Sequence, residues 1–497
     1  MLSLRKKTFY RILVGSLIAI LLSLVISLTS SDSISPVFGS FHGDAFSVDG
    51  VLFMYDAKAI LAGKKPYLEV FDHKGLYHLF VDALGLLIGD SVGVLVLETI
   101  FGAVSLLLLF ETLEKLEMSL FQKAVAVGFF ATLRMLIGGG NAIGIWLLPW
   151  ASAYLYFYIR AIKEEKERFF LIGSIFLGVE VALSFNSRPL DTIFVYGGMI
   201  YLLIKGIKEH KMGMFWMNAL AAFLAFAIVS SVFVVIAISG GYLVEMLKAT
   251  FLENFTYIGR TANFPLEQVF FRIGAGLLIV IAFVVYFLER KWGADAVMRN
   301  FLFTLFLSVF VPLIFLGRYL SYLLCGVTLF SICLSFFIKS IPEGKGSLFT
   351  QRIMASIFAA GIVLFGVLTP VLYYTTGVAD LSYALNSQDE KALLETIPLE
   401  DRKDEKVFAI DCSCSVYLSL GTISEERFYA NQSWWSLDNE EVIPEVITFI
   451  KTKKPTWIVL SKDPLSKENF GEALSDYRLI SEKAARFDIY RLNDIVF

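Results

Sequence analysis

Apolar runs near the length needed to cross a bilayer recur from residue 11 to about residue 372, separated by short polar breaks. The pattern predicts a first helix over about 9–29 and then a long polar segment, 30–75. Residues 76–89, LYHLFVDALGLLIG, are apolar but short, which predicts an interfacial helix and not a span. Further helices are expected over 91–113, 124–138, 142–160, through the run ending at FNSRP, and over 189–204. The series continues over 214–239, up to Arg290 and Lys291, over 301–317, up to Lys339, and over 353–373, with an outer loop at 240–264. Residues 373–497 change character, with dense charge and short apolar runs. There VFAID (407–411), WIVLS (457–461) and FDIYRL (487–492) read as strands, and NEEVIPEVITFIKTKK (439–454) reads as an amphipathic helix. The expected architecture is a polytopic α-helical membrane domain of about eleven spans, residues 1–373, followed by a small α/β domain, residues 374–497.

Basic residues orient the chain. Arg5, Lys6 and Lys7 place the N-terminus on the cytoplasmic side. Lys115 and Lys123, then Arg160, Lys163, Lys166 and Arg168, then Lys205, Lys208 and Lys211 follow on that side. The alternation holds only if 76–89 does not span, and it delivers the C-terminal domain to the extracytoplasmic side of the plasma membrane. The uncleaved first helix is favoured over a signal peptide, because its apolar core is long and no A-x-A-like site follows. Composition agrees: 57% of the 497 residues are hydrophobic. The net charge of −3 points to no nucleic-acid partner. Cys325 and Cys333 lie in an apolar helix, and Cys412 and Cys414 are too close in sequence to bridge easily, so no disulfide framework or zinc pattern is expected.

This topology gathers polar chemistry on the outer face. Asp44, Asp49, Glu69, Asp72, His73 and Lys74 fall in the first outer loop. Glu98, Arg134, Asn141, Asn186, Arg188, Asp191 and Arg318 fall near outer helix ends, and the 240–264 loop adds Glu245, Glu253, Tyr257 and Arg260. Ionisable groups at membrane helices are costly and usually line a functional cavity, here one suited to an anionic, membrane-embedded substrate.

From Asp49 to Gly63 the spacing predicts an amphipathic helix lying on the membrane. Asp49 at its start is either a helix cap or a catalytic base, a role worth roughly 10²–10⁴-fold. Lys74 is either an interfacial anchor or a phosphate ligand, and the convergence of charge favours the second. His42, His73 and His78, with Asp49 and Asp72, could form a divalent metal site, though hydrogen bonding among neighbours is favoured. Arg188 either pairs with Asp191 or binds phosphate, and Arg134 and Arg318 have the same two readings. Trp434 and Trp435, in ANQSWWSLD, read first as packing and second as a sugar-stacking platform.

An aspartate soon after helix 1, an amphipathic helix, PY, then FDHKG before an apolar segment resembles the first outer loop of the GT-C superfamily. It looks most like bacterial relatives of the aminoarabinose transferase and the protein O-mannosyltransferases. GGGN (138–141), SRP (187–189) and ENFTY (253–257) are also similar to family positions. The resemblance covers roughly residues 9–330. It implies a glycosyltransferase that moves a sugar from a polyprenyl-phosphate donor to a glycan, lipid or protein acceptor, with inversion. By that likeness Asp49 is the catalytic carboxylate and Lys74 the lipid-phosphate ligand. His73, Arg188, Arg134, Asn141, Arg318 and Tyr257 complete the expected donor site. Two departures stand out. Leu76 replaces the family's usual proline, and NAIGIW carries no acid after Asn141. Asp72 or Glu98 could supply that second carboxylate. A divalent metal is left open, with Asp49, Asp72 and His73 as its ligands. The competing readings are a transporter or flippase of a lipid-linked sugar and an inactive relative. A transporter should place its polar groups near the midplane, often in repeated halves, and no repeat is visible.

Overall fold

The computed structural model describes residues 2–30, 48–137, 143–189, 196–253, 265–316, 320–341, 387–429 and 442–493. The chain folds as two compact units, each assembled from separate stretches. One holds residues 1–31, 95–234 and 264–376; the other holds 32–94, 235–263 and 377–497.

The first unit is helical. Helix Ile143–Glu164 packs on helix Glu167–Phe185, Leu120–Ile137 on Val327–Ser340, and Ala296–Leu316 on both Pro265–Lys291 and Tyr196–Lys208. Small residues let these helices approach, as membrane helices require. At Gly178 a Cβ would collide with the backbone of Ala222. Buried hydroxyls pair across the helices. The Tyr158 and Ser174 hydroxyls lie 2.9 Å apart, Ser174 donates to Asn218 Oδ1 at 2.9 Å, and Ser152 meets Thr328 at 2.7 Å. Among the described residues four helices are long and apolar enough to cross a membrane: Leu76–Lys115, Glu167–Phe185, Met212–Gly240 and Leu323–Ser340. The protein is a multi-pass membrane protein. The helix expected over 353–373 lies outside the described residues.

Leu76–Lys115 breaks at Gly89 and Asp90, where Asp90 takes φ 54°. The short apolar segment 76–89 is thus a helix of its own, ended where its length predicted. The expected loop at 240–264 is helical in its first part, with helix Leu243–Leu247 running into a π-helical turn, Lys248–Glu253.

The second unit contains a four-stranded sheet, β1 Val407–Ile410, β2 Trp457–Ser461, β3 Tyr477–Ser481 and β4 Phe487–Leu492, in the order β1-β2-β4-β3. β1 and β2 pair in parallel, and the remaining pairs are antiparallel. Helix Val442–Lys453 lies in the crossover from β1 to β2, and packs Val446 and Ile450 on Phe408, Ile458 and Leu460. Three strands stand where the sequence pattern puts them. β3 was not anticipated, since YRLIS shows three consecutive exposed residues and no clean alternation.

Helix Val48–Leu61 corrects one expectation. It ends as foreseen, with Gly63 at φ 93° and the Lys64 N–H on the Ala59 carbonyl. It is not an amphipathic helix with a wet polar face, because residues 50–57 are all buried. The C-terminal part of the same unit covers it. Tyr55 packs against Tyr417 and Tyr429, with ring centroids 5.2 and 4.4 Å away, and its hydroxyl accepts the Ser424 N–H at 2.7 Å.

Candidate functional site

The second unit buries a cluster of ionisable side chains beneath this tyrosine cover. FDHKG is anchored at its first residue. The Phe71 N–H donates to the Arg427 carbonyl at 3.1 Å, and the Phe71 ring packs on Phe428 at 5.2 Å. Asp72 then turns back, and its Oδ1 accepts the backbone N–H of Lys74 at 3.2 Å. The same oxygen lies 3.6 Å from Lys74 Nζ and 3.3 Å from His73 Nδ1. The Lys74 carbonyl accepts the Tyr67 hydroxyl at 2.9 Å. The ammonium also lies over the Phe53 ring, 5.0 Å from its centroid, and His78 meets that ring edge-on. Asp72, His73, Lys74, His78 and Asp82 are all buried.

Sequence reasoning missed two members, Asp82 and, more tellingly, Asp56. It is fully buried, and the Tyr429 hydroxyl donates to its Oδ1. Its Oδ2 has no hydrogen-bond partner among the described residues. Burial above all, then the Asp72 carboxylate, raises its pKa far above the carboxylate range; Lys74 opposes this, and Asp82 adds to the rise. Burial and the neighbouring Asp72 charge both favour the protonated form of Asp56. One signal was available in the sequence. Asp56 follows Asp49 by seven residues, two turns along one helix face.

Asp49 occupies the first turn of helix Val48–Leu61, and its side chain lies outside the described residues. Asn141, Tyr257, Arg318, Asp191, Asp44, His42, Trp434 and Trp435 also lie outside them. Arg188 follows helix Glu167–Phe185 in the first unit, where its carbonyl accepts the Ser184 hydroxyl at 2.8 Å.

Arg134 and Glu98 meet each other in the first unit. Arg134 Nη2 donates to Glu98 Oε1 at 3.0 Å and to Ser27 Oγ at 2.9 Å, and Nη1 donates to Ser23 Oγ at 3.1 Å. All four side chains are buried. Gly102 makes room, because a Cβ there would overlap the guanidinium and Ser23 Oγ. Arg134, read either as an ion-pair partner or as a phosphate ligand, is thus held in a buried ion pair, and Glu98, considered as a second carboxylate, is its counter-ion.

A divalent metal finds little to hold it among the described side chains. No three His, Cys, Asp or Glu residues converge there, and the Lys74 ammonium already faces Asp72 Oδ1. What the cluster offers is a buried lysine facing the Asp72 carboxyl group, with a second carboxyl group, Asp56, also buried. Such a site can receive an anionic oxygen.

The comparisons with known proteins fit this architecture. No curated protein matches the sequence. The crystal structure of ArnT from Cupriavidus metallidurans bound to undecaprenyl phosphate superposes with a TM-score of 0.61 at 11% identity, over 97% of this chain and 98% of that one. Its apo state gives 0.54 at 10% identity, over the same shares of the two chains. An Archaeoglobus fulgidus oligosaccharyltransferase, crystallised with Zn and sulfate, gives 0.45 at 12% identity, over 95% of this chain and 72% of that one. The ArnT likeness shows that the chain shares the fold of that protein. The family model of the competence-induced protein Ccs4 N-terminal domain matches residues 6–346, and the chain belongs to that family.

Proposed function

We propose that the protein is a membrane glycosyltransferase that takes its sugar from a polyprenyl-phosphate donor at the outer face of the plasma membrane. One observation carries the reading. A chain with the fold of ArnT along 97% of its length buries a lysine, Lys74, beside Asp72, and a buried cation of this kind suits a lipid phosphate. The ArnT structure holds undecaprenyl phosphate, and this supports the same donor class here.

In the proposed reaction the acceptor hydroxyl gives its proton to Asp49 while its oxygen attacks the anomeric carbon. The bond from that carbon to the phosphate oxygen breaks with inversion. The polyprenyl phosphate leaves with its charge against Lys74. Asp72 orients the Lys74 ammonium, 3.6 Å from its Oδ1. Holding Lys74 this way fixes a long, flexible side chain before the donor arrives. The acceptor is a surface glycan, lipid or protein.

The test is sugar transfer by the purified full-length chain from a panel of radiolabelled polyprenyl-phosphate sugars, with and without EDTA. Transfer that disappears in Asp49→Asn and falls in Lys74→Ala supports the reading. Lipid binding with no transfer across the panel would move the assignment to a transporter or an inactive relative.

A further inference from the structure

The tyrosine cover and FDHKG are held by one short C-terminal stretch. Residues 424–429 touch helix Val48–Leu61 twice, through the Ser424 N–H on the Tyr55 hydroxyl and the Tyr429 hydroxyl on Asp56. The same stretch touches the FDHKG segment twice, through the Arg427 carbonyl on the Phe71 N–H and through the Phe428 ring on Phe71. The Arg427 side chain ties it to the α/β domain by a two-pronged bond to Glu445, with both contacts at 2.6 Å. The helix bearing Asp49 and Asp56 and the segment bearing Asp72 and Lys74 are therefore joined through this stretch, which lies more than 350 residues further along the chain.

We propose that residues 424–429 form a clamp that sets the donor-phosphate site, and that Asp56, gripped by Tyr429, is its positioning residue for the Asp72–Lys74 pair. The inference rests on Lys74 as the phosphate ligand. Asp56 serves by accepting the Tyr429 hydroxyl, and burial favours its protonated form. An ionised Asp56 would add a second negative charge to the Asp72–Lys74 pair and oppose an incoming phosphate. A neutral carboxyl group still accepts from Tyr429 and holds the helix in place. The amide of asparagine has the same shape and the same accepting oxygen, so it should replace Asp56 without loss.

Equilibrium binding of undecaprenyl phosphate to the purified full chain tests this, alongside kcat and KM for transfer and the thermal midpoint of each variant. Asp56→Asn should bind within about twofold of the parent. Asp56→Ala and Tyr429→Phe should bind about tenfold more weakly, the weight of one buried hydrogen bond, with KM raised and kcat nearly unchanged. Asp56→Asn and Tyr429→Phe keep the shape of the site, so the test stands even where Asp56→Ala fails to fold. Asp56→Asn as weak as Lys74→Ala, or Tyr429→Phe indistinguishable from the parent, would overturn the inference while leaving the donor assignment intact. A parent chain that binds no polyprenyl phosphate would overturn both.

Discussion

The two units each bury a cation against carboxylates, and they resolve the problem in opposite ways. Arg134 faces one acid, Glu98, and serines on a neighbouring helix fill its remaining reach. Lys74 faces Asp72, with Asp82 and Asp56 adding acid to the same cluster, and burial together with these charges raises the pKa of Asp56. Burial alone therefore does not single out a candidate site; an excess of buried acid over cation does.

Several substitutions would sharpen or break this contrast. The largest effect belongs to Asp49→Asn, which should lower kcat by roughly 10²–10⁴-fold with an unchanged melting curve; full turnover would remove Asp49 from the reaction. Arg134→Ala should lower stability by about 3–5 kcal/mol, since it removes the buried guanidinium that the Glu98 carboxylate faces. Pairing it with Glu98→Gln should recover part of that loss in a detergent melting series; no recovery would mean that the pair is not the unit described.

Asp411 offers a third kind of buried acid. Burial pushes its carboxyl up from 3.8 to about 6, with Asp463 adding to the rise and the Ser466 hydroxyl opposing it. The folded state then holds the proton more tightly than the unfolded chain. Stability should fall as pH rises from about 4 to about 6 and stay lower above that, by at most about 3 kcal/mol. Asp411→Asn should flatten this slope and raise the thermal midpoint at pH 7; an unchanged pH profile would contradict the shift. Lys74→Ala should weaken donor binding by about 2 kcal/mol, roughly 30-fold. Lys115→Ala, whose partner Glu164 is part-exposed, should leave it alone; equal losses would argue against the phosphate assignment. The smallest effect should come from Arg427→Ala. Its pair with Glu445 is about one-third exposed, so less than about 1 kcal/mol of stability is at stake.

The sequence made local features legible and hid the remote ones. FDHKG stood out because four polar or small residues, Asp72 to Gly75, interrupt an apolar chain, and the break at Gly89 followed from the length of the run before it. β1, β2 and β4 were readable as short apolar strands. Asp56 was not readable as buried, because its cover comes from Tyr429 and Tyr417, whose positions depend on the folded C-terminal region. Arg134 looked available for the same reason. Ser23 and Ser27, one turn apart on the first helix, were the only local hint that a guanidinium docks there.

The grip of Tyr429 on Asp56 spans 373 positions of the chain. During synthesis at about 5–20 residues per second, the aspartate waits roughly 20–75 s for its tyrosine. Through that interval the first outer segment is made but unfinished, and a chain cut short by even its last quarter never completes it. Assembly of this cluster thus reports that translation has passed Tyr429, so that a copy halted before it lacks the contact that covers Asp56.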